Sequence, residues 1–143
     1  MFYIPDPYVK VEVFDGAVRY FQDTTSTKSK TLFPVFNERF QFELTDQQKK
    51  SICLIISVKH RLSWGGKKQV IGQLSFSFRS IGNELLHWQS ALSSGTDIEM
   101  MHPLRNAVET PKKHCLQSQR GQEIVDQLSD EENLLETEDD RLL

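Results

Sequence analysis

Between Lys59 and Lys68 the chain places four cations, Lys59, Arg61, Lys67 and Lys68, around Leu62, Trp64 and the pair Gly65-Gly66. Ammonium and guanidinium groups on a loop can meet anionic phospholipid headgroups, while an indole settles at a membrane–water interface. Each cation near an anionic surface contributes about 1 kcal/mol, so four give about 4 kcal/mol, a millimolar affinity by themselves. The alternative reading of the same residues is a solvated basic loop with Trp64 folded onto the body of the domain.

Other chemistry finds little support. His60, His87, His102 and His114 are scattered, and none is spaced with a cysteine or carboxylate as a zinc site requires. The sequence holds no Gly-x-Ser-x-Gly, no phosphate-binding glycine loop and no dinucleotide fingerprint, so neither an enzyme nor a cofactor is expected. A net charge of −3, with no long basic face, argues against a nucleic-acid binder. Cys53 sits in the apolar run Ile52-Cys53-Leu54-Ile55-Ile56, where cysteine behaves as a small hydrophobe. A disulfide to Cys115, the only other cysteine, has no support in the sequence, and a cytoplasmic setting is expected.

The elements that must position these residues read as strands. Tyr8 to Phe14 alternates valines with charges and ends at the turn signal Asp15-Gly16, followed by a second strand from Ala17 to Gln22. Phe40-Gln41-Phe42-Glu43-Leu44 and Leu74-Ser75-Phe76-Ser77-Phe78 alternate again, and Ile52 to Val58 suits a central strand. Ile98 to Met101 is expected to add a short last strand. Glu84 to Leu92 is the helical candidate, with Leu85, Trp88 and Leu92 on one face. Short strands with regular turn signals argue for an antiparallel sandwich.

Residues 1–104 carry twelve Lys+Arg against ten Asp+Glu, whereas residues 105–143 carry five against ten. The latter segment is rich in Gln, Ser and acids and poor in aromatics, so it is expected to be a disordered acidic tail. It holds two acidic-dileucine patterns, Asp130-x-x-x-Leu134-Leu135 and Glu138-x-x-x-Leu142-Leu143, which resemble clathrin-adaptor sorting signals. There is no apolar run long enough for a transmembrane helix.

Three stretches together resemble the C2 domain family, and within it the second C2 domain of synaptotagmin-like proteins. Asp6-Pro7-Tyr8-Val9-Lys10-Val11 is similar to the "DPYVKV" segment that leaves the first calcium-binding loop. Lys30-Thr31 with Phe33-Pro34-Val35-Phe36-Asn37-Glu38-Arg39-Phe40-Gln41-Phe42 is similar to "KT…NPVFNExFxF". Ile71-Gly72, then Gly82 to Trp88, then Met101-His102-Pro103-Leu104 resemble the ending "IG…HW…WHxL", with Met101 in place of the tryptophan.

The resemblance implies an all-β, antiparallel C2-type β-sandwich with one short helix and its binding loops at one end. It also implies that residues 1–104 are a partial domain, because only five residues precede Asp6 where two further strands would stand. About six of eight strands would then be present, and open sheet edges would leave the chain able to self-associate. Val9, Val11, Val13, Phe40, Phe42 and Leu54 would face the core those strands help to close.

Calcium-binding relatives supply about five aspartates from two loops. Asp6 matches one of these positions, while His60, Leu62 and Gln69 stand at three others. Calcium takes six to eight oxygen ligands, several of them carboxylates, so this set is read as degenerate. Lys28 and Lys30 fall where relatives carry a polybasic strand, of which two lysines are a thin version. The expectation is a calcium-independent module in membrane trafficking or vesicle exocytosis, peripheral to membranes, binding anionic phospholipid or trafficking proteins. The alternative is a protein-interaction scaffold with no membrane binding, whose dileucine tail is a sorting ligand.

Overall fold

The computed structural model describes residues 3–62 and 69–106. Four strands form one antiparallel sheet in the order β2-β1-β3-β4. They are β1 (Pro7–Asp15), β2 (Val18–Thr24), β3 (Ile52–His60) and β4 (Gln69–Phe76). Between β2 and β3 lies the single-turn helix α1 (Gln48–Ser51), and α2 (Gly82–Ser93) follows β4.

β1 and β3 are the inner strands because their apolar residues have something to bury on both sides. Their register is unbroken from Pro7↔His60 to Asp15↔Ile52. Directly paired residues share a face, so Val13 stands beside Leu54, and Phe76 of β4 stands beside Leu54 in turn. Val13, Ile52, Phe76 and Trp88 form the main core cluster, with Phe42, Leu44 and Leu92 among the side chains packed against it. The layer over this face is therefore α2 together with the extended segment around Phe42.

The opposite face carries a second buried cluster of Phe14, Cys53 and Ile55. Simple alternation treats β1 as half-exposed, with its charges in water. Glu12 is instead only 4% exposed, and its carboxylate is offset by Lys10 at 3.6 Å and Arg19 at 3.4 Å. Val11 and Val13 are buried, while Val9, Phe40, Phe42 and Leu54 are half-buried. Cys53 packs within the second cluster but is disulfide-bonded, which corrects its reading as an unbonded small hydrophobe; Cys115 lies outside the described residues.

The Asp15-Gly16 turn forms as its sequence requires, with Gly16 at φ 64°, a conformation that costs glycine least. α2 forms over the expected stretch and buries Trp88 on the face it shares with Leu85 and Leu92. Two expected strands do not form ladders. Phe40 to Leu44 keeps its alternation of half-buried and exposed positions, yet it joins no ladder among the described residues. Its side chains still find partners, since Phe42 packs on Phe21 and the Glu43 carbonyl accepts from the Tyr20 hydroxyl at 2.8 Å.

Ile98 to Met101 is irregular, and Met101 is 95% exposed. The backbone pairing falls four residues later, where Arg105 exchanges two hydrogen bonds with Gln73 of β4 at 2.8 and 3.0 Å. β4 also begins earlier and ends sooner than expected, leaving Phe78 outside it. No described helix is long and apolar enough to cross a membrane. The acidic tail positions Asp130, Leu134, Leu135, Glu138, Leu142 and Leu143 lie outside the described residues.

Candidate functional site

The start of β1 is the centre around which the basic residues gather. After β2 ends at Thr24, the chain keeps running beside residues 5–9 without being a regular strand. Thr25 N–H donates to the Val9 carbonyl at 2.9 Å, Lys28 N–H to Pro7 at 2.8 Å, and Thr31 N–H to Pro5 at 3.1 Å. Lys28 and Lys30 are thus held along one side of this segment. Lys59, His60 and Arg61 lie along the other, with Lys59 opposite Tyr8, His60 opposite Pro7, and Arg61 N–H donating to the Asp6 carbonyl at 3.0 Å.

Asp6 ties the two sides together. Its Oδ1 accepts the Lys30 backbone N–H at 2.7 Å. Lys30 has φ 43°, a left-handed conformation disfavoured for a side-chain-bearing residue, so this bond holds a turn that would otherwise relax. The Asp6 backbone N–H donates to Nδ1 of His60 at 2.9 Å. His60 is 5% exposed, and its ring meets Tyr3 edge-on at 4.9 Å. The Arg61 guanidinium stands 5.2 Å over the ring of Tyr8, an attraction worth about 0.5–1 kcal/mol at an exposed site.

This end therefore brings cations onto a fixed frame, Lys30 and Arg61 exposed and Lys28 and Lys59 half-buried, with one carboxylate, that of Asp6, among the described positions of the set. Of the four positions where relatives place carboxylates, only Asp6 carries one, and it already accepts an internal N–H. His60 is committed to the Asp6 backbone, Leu62 is partly exposed hydrocarbon, and Gln69 pairs with His60 at the start of β4. These four described residues supply one carboxylate between them, whereas calcium takes six to eight oxygens and several negative charges. Trp64, Lys67 and Lys68, the remaining residues of the expected basic loop, lie outside the described residues.

Several contacts escape a reading of the sequence. The expected site residues fall in two separate stretches, and nothing in their spacing announces that Asp6 joins Lys30 to His60. The Thr45-x-x-Gln48 capping box of α1 is a signal that sequence does carry: Gln48 N–H donates to Thr45 Oγ1 at 3.1 Å, and Thr45 N–H donates to Gln48 Oε1 at 3.0 Å. At the far end of the domain, His87 and His102 stack with Nδ1 and Nε2 2.8 Å apart, both against the edge of Phe76. They pin the last described segment to α2 and take a structural part, as their place in the "HW" and "WHxL" motifs suggests.

The family model "C2 domain" matches residues 1–91, and the chain belongs to the C2 domain family. It is 34% identical over 110 residues to synaptotagmin 1 of Drosophila melanogaster, covering 75% of this chain and 23% of that protein. It is 35% identical over 114 residues to synaptotagmin-1 of Aplysia californica, covering 78% and 25%. Human synaptotagmin-2 is 33% identical over 93 residues, covering 64% and 22%. The chain thus spans about a quarter of the length of these relatives. Among solved structures, a C2 domain of RIM from Drosophila is similar with a TM-score of 0.46 and 18% identity, covering 56% of this chain and 64% of that one.

Proposed function

We propose that this chain is a calcium-independent binding module, related to the second C2 domain of synaptotagmins, that docks peripherally on anionic membrane surfaces during vesicle trafficking and carries out no catalytic step. One observation carries this reading. Among the described residues the loop-end carboxylate of Asp6 is spent on holding Lys30, and Lys28, Lys30 and Arg61 gather beside it with no group of acids that could hold a cation.

Lys67, Lys68 and Trp64 would extend the same surface, the lysines toward headgroups and the indole toward the interface. Four cations at about 1 kcal/mol each give millimolar binding, so useful recruitment needs either a densely charged membrane or a second membrane-binding element. Cosedimentation with vesicles of graded anionic lipid content tests the reading. Binding should rise with anionic fraction and fall with salt as exposed charges are screened. Lys28→Glu with Lys30→Glu should reduce it at least tenfold. Vesicle binding that ignores both salt and the charge reversal would favour a protein-interaction scaffold instead.

A further inference from the structure

The segment from Arg39 to Leu44 lies against the core without a backbone partner. Phe40, Phe42 and Leu44 are half-buried, with Phe42 and Leu44 packed on the cluster of Val13, Ile52, Phe76 and Trp88, while Arg39, Gln41 and Glu43 are exposed. This is the period-2 pattern of a strand whose even-numbered positions face inward. Yet none of its backbone groups pairs with another backbone group among the described residues. The one bond printed on it comes from a side chain, the Tyr20 hydroxyl of β2, which donates to the Glu43 carbonyl at 2.8 Å.

In an extended chain the N–H and C=O of one residue serve one edge, and those of the next residue serve the other. Glu43 turns its carbonyl toward Tyr20, so Gln41 and Glu43 serve the edge beside β2. Phe40, Phe42 and Leu44 serve the opposite edge, where their N–H and C=O groups have no partner among the described residues. Such an edge is a template for a further strand.

We infer that this edge is the interface of a symmetric dimer, in which the Arg39–Leu44 segments of two copies of the chain pair antiparallel about a two-fold axis at Gln41. The sequence is self-complementary in that register. Arg39 stands opposite the second copy's Glu43, Phe40 opposite the second copy's Phe42, and Gln41 opposite its own equivalent, each unlike pair occurring twice by symmetry. Phe40 and Phe42 are then the hydrogen-bonded pairs, and they carry the backbone groups that point to the open edge. Apolar side chains meet on the inner face and opposite charges on the outer one.

Charge fixes the choice of a second copy as the occupant. Arg39 and Glu43 make no ion pair among the described residues. Within one copy they lie roughly 14 Å apart at strand rise, too far to neutralise each other. The two-fold axis brings each beside its complement. Sliding the second copy by two residues sets Glu38 against Phe42 in one direction and Gln41 against Glu43 in the other, and either shift loses both ion pairs.

Sedimentation equilibrium of the 143-residue chain tests this. The shared edge is much smaller than a standard interface, so a monomer–dimer equilibrium with a Kd on the order of 100 μM is expected. Arg39→Glu and Glu43→Arg each turn two attractive pairs into repulsive ones, and each should weaken dimerisation at least tenfold. Both side chains are exposed and the Tyr20 bond uses only the Glu43 carbonyl, so both variants should keep the parent melting temperature. Mixing the two variants in equal amounts restores opposite charges at both sites, and heterodimers should form within threefold of the parent affinity. The double variant Arg39→Glu with Glu43→Arg should dimerise like the parent, which a change of net charge alone does not produce. A parent chain still monomeric at roughly tenfold above the expected Kd overturns the proposal and leaves the edge to an extended segment of another protein. Association that either reversal leaves within twofold, or that mixing fails to restore, overturns it as well, by placing the contact elsewhere or in another register.

Discussion

Oδ1 of Asp6 sits 2.7 Å from the backbone nitrogen of Lys30, twenty-four residues away in sequence, and accepts its N–H. In a calcium-binding relative an aspartate at this place would serve the ion. Here it serves the backbone of the segment that carries Lys28 and Lys30.

Replacing Asp6 with alanine removes this acceptor from a left-handed turn. Hydrogen bonds to charged groups contribute about 1.5–3 kcal/mol, and this one is exposed, so a loss of about 1 kcal/mol is expected. The more specific outcome is local. Hydrogen exchange at the Lys30 amide should accelerate, while amides of β1 and β3 should keep their protection. Unchanged exchange at Lys30 would show that the turn holds itself.

The Glu84–Arg105 contact makes a pH prediction. The hydrogen bond from Arg105 holds the Glu84 carboxyl below the usual value of 4.5, and this outweighs the opposing effect of burial. A carboxylate whose folded value is depressed stabilises the fold fully above its unfolded value and loses that contribution as pH falls through the folded one. Stability should therefore be insensitive to this pair above about pH 5 and fall below about pH 4.5. Glu84→Gln should flatten that acid limb in urea titrations at stepped pH, whereas an acid limb as steep as in the parent chain would remove Glu84 from the account.

Gly72 on β4 makes a steric prediction. A Cβ built there would stand 2.6 Å from Cβ of Leu104, closer than atoms can approach. Gly72→Ala must push Leu104 and its neighbours away from β4, an overpacking effect of about 1–3 kcal/mol. Gly72→Ala combined with Leu104→Gly should recover part of that loss, because the Leu104 Cβ that stands 2.6 Å away is then gone. Strictly additive losses in the double variant would mean that the two residues do not meet.

The sequence made some of this legible and concealed the rest for physical reasons. The alternation around Val11 and Val13, the Asp15-Gly16 turn and the Leu85–Trp88–Leu92 face are local patterns, and they formed where local pattern placed them. Phe40 to Leu44 shows why alternation alone does not make a strand. Its side chains pack, with Phe42 on Phe21, but a ladder also needs a neighbouring backbone in register. Ile98 to Met101 looked apolar enough to pair, yet Gly72 admits Leu104 and Gln73 takes Arg105. At the loop end, residue types alone revealed the poverty of carboxylates. The bonds that join Asp6 to both Lys30 and His60 depend on tertiary neighbours and left no trace in spacing.

The most direct test of the central claim is vesicle binding measured twice on the same chain, once in a calcium chelator and once in millimolar calcium, with phosphatidylserine as the anionic lipid. The donor set around Asp6, His60, Leu62 and Gln69 predicts the same bound fraction in both conditions and a melting temperature that calcium does not raise, because an ion that binds only the folded state must stabilise it. Binding that appears only with calcium, accompanied by a rise of several degrees in melting temperature, would contradict the account.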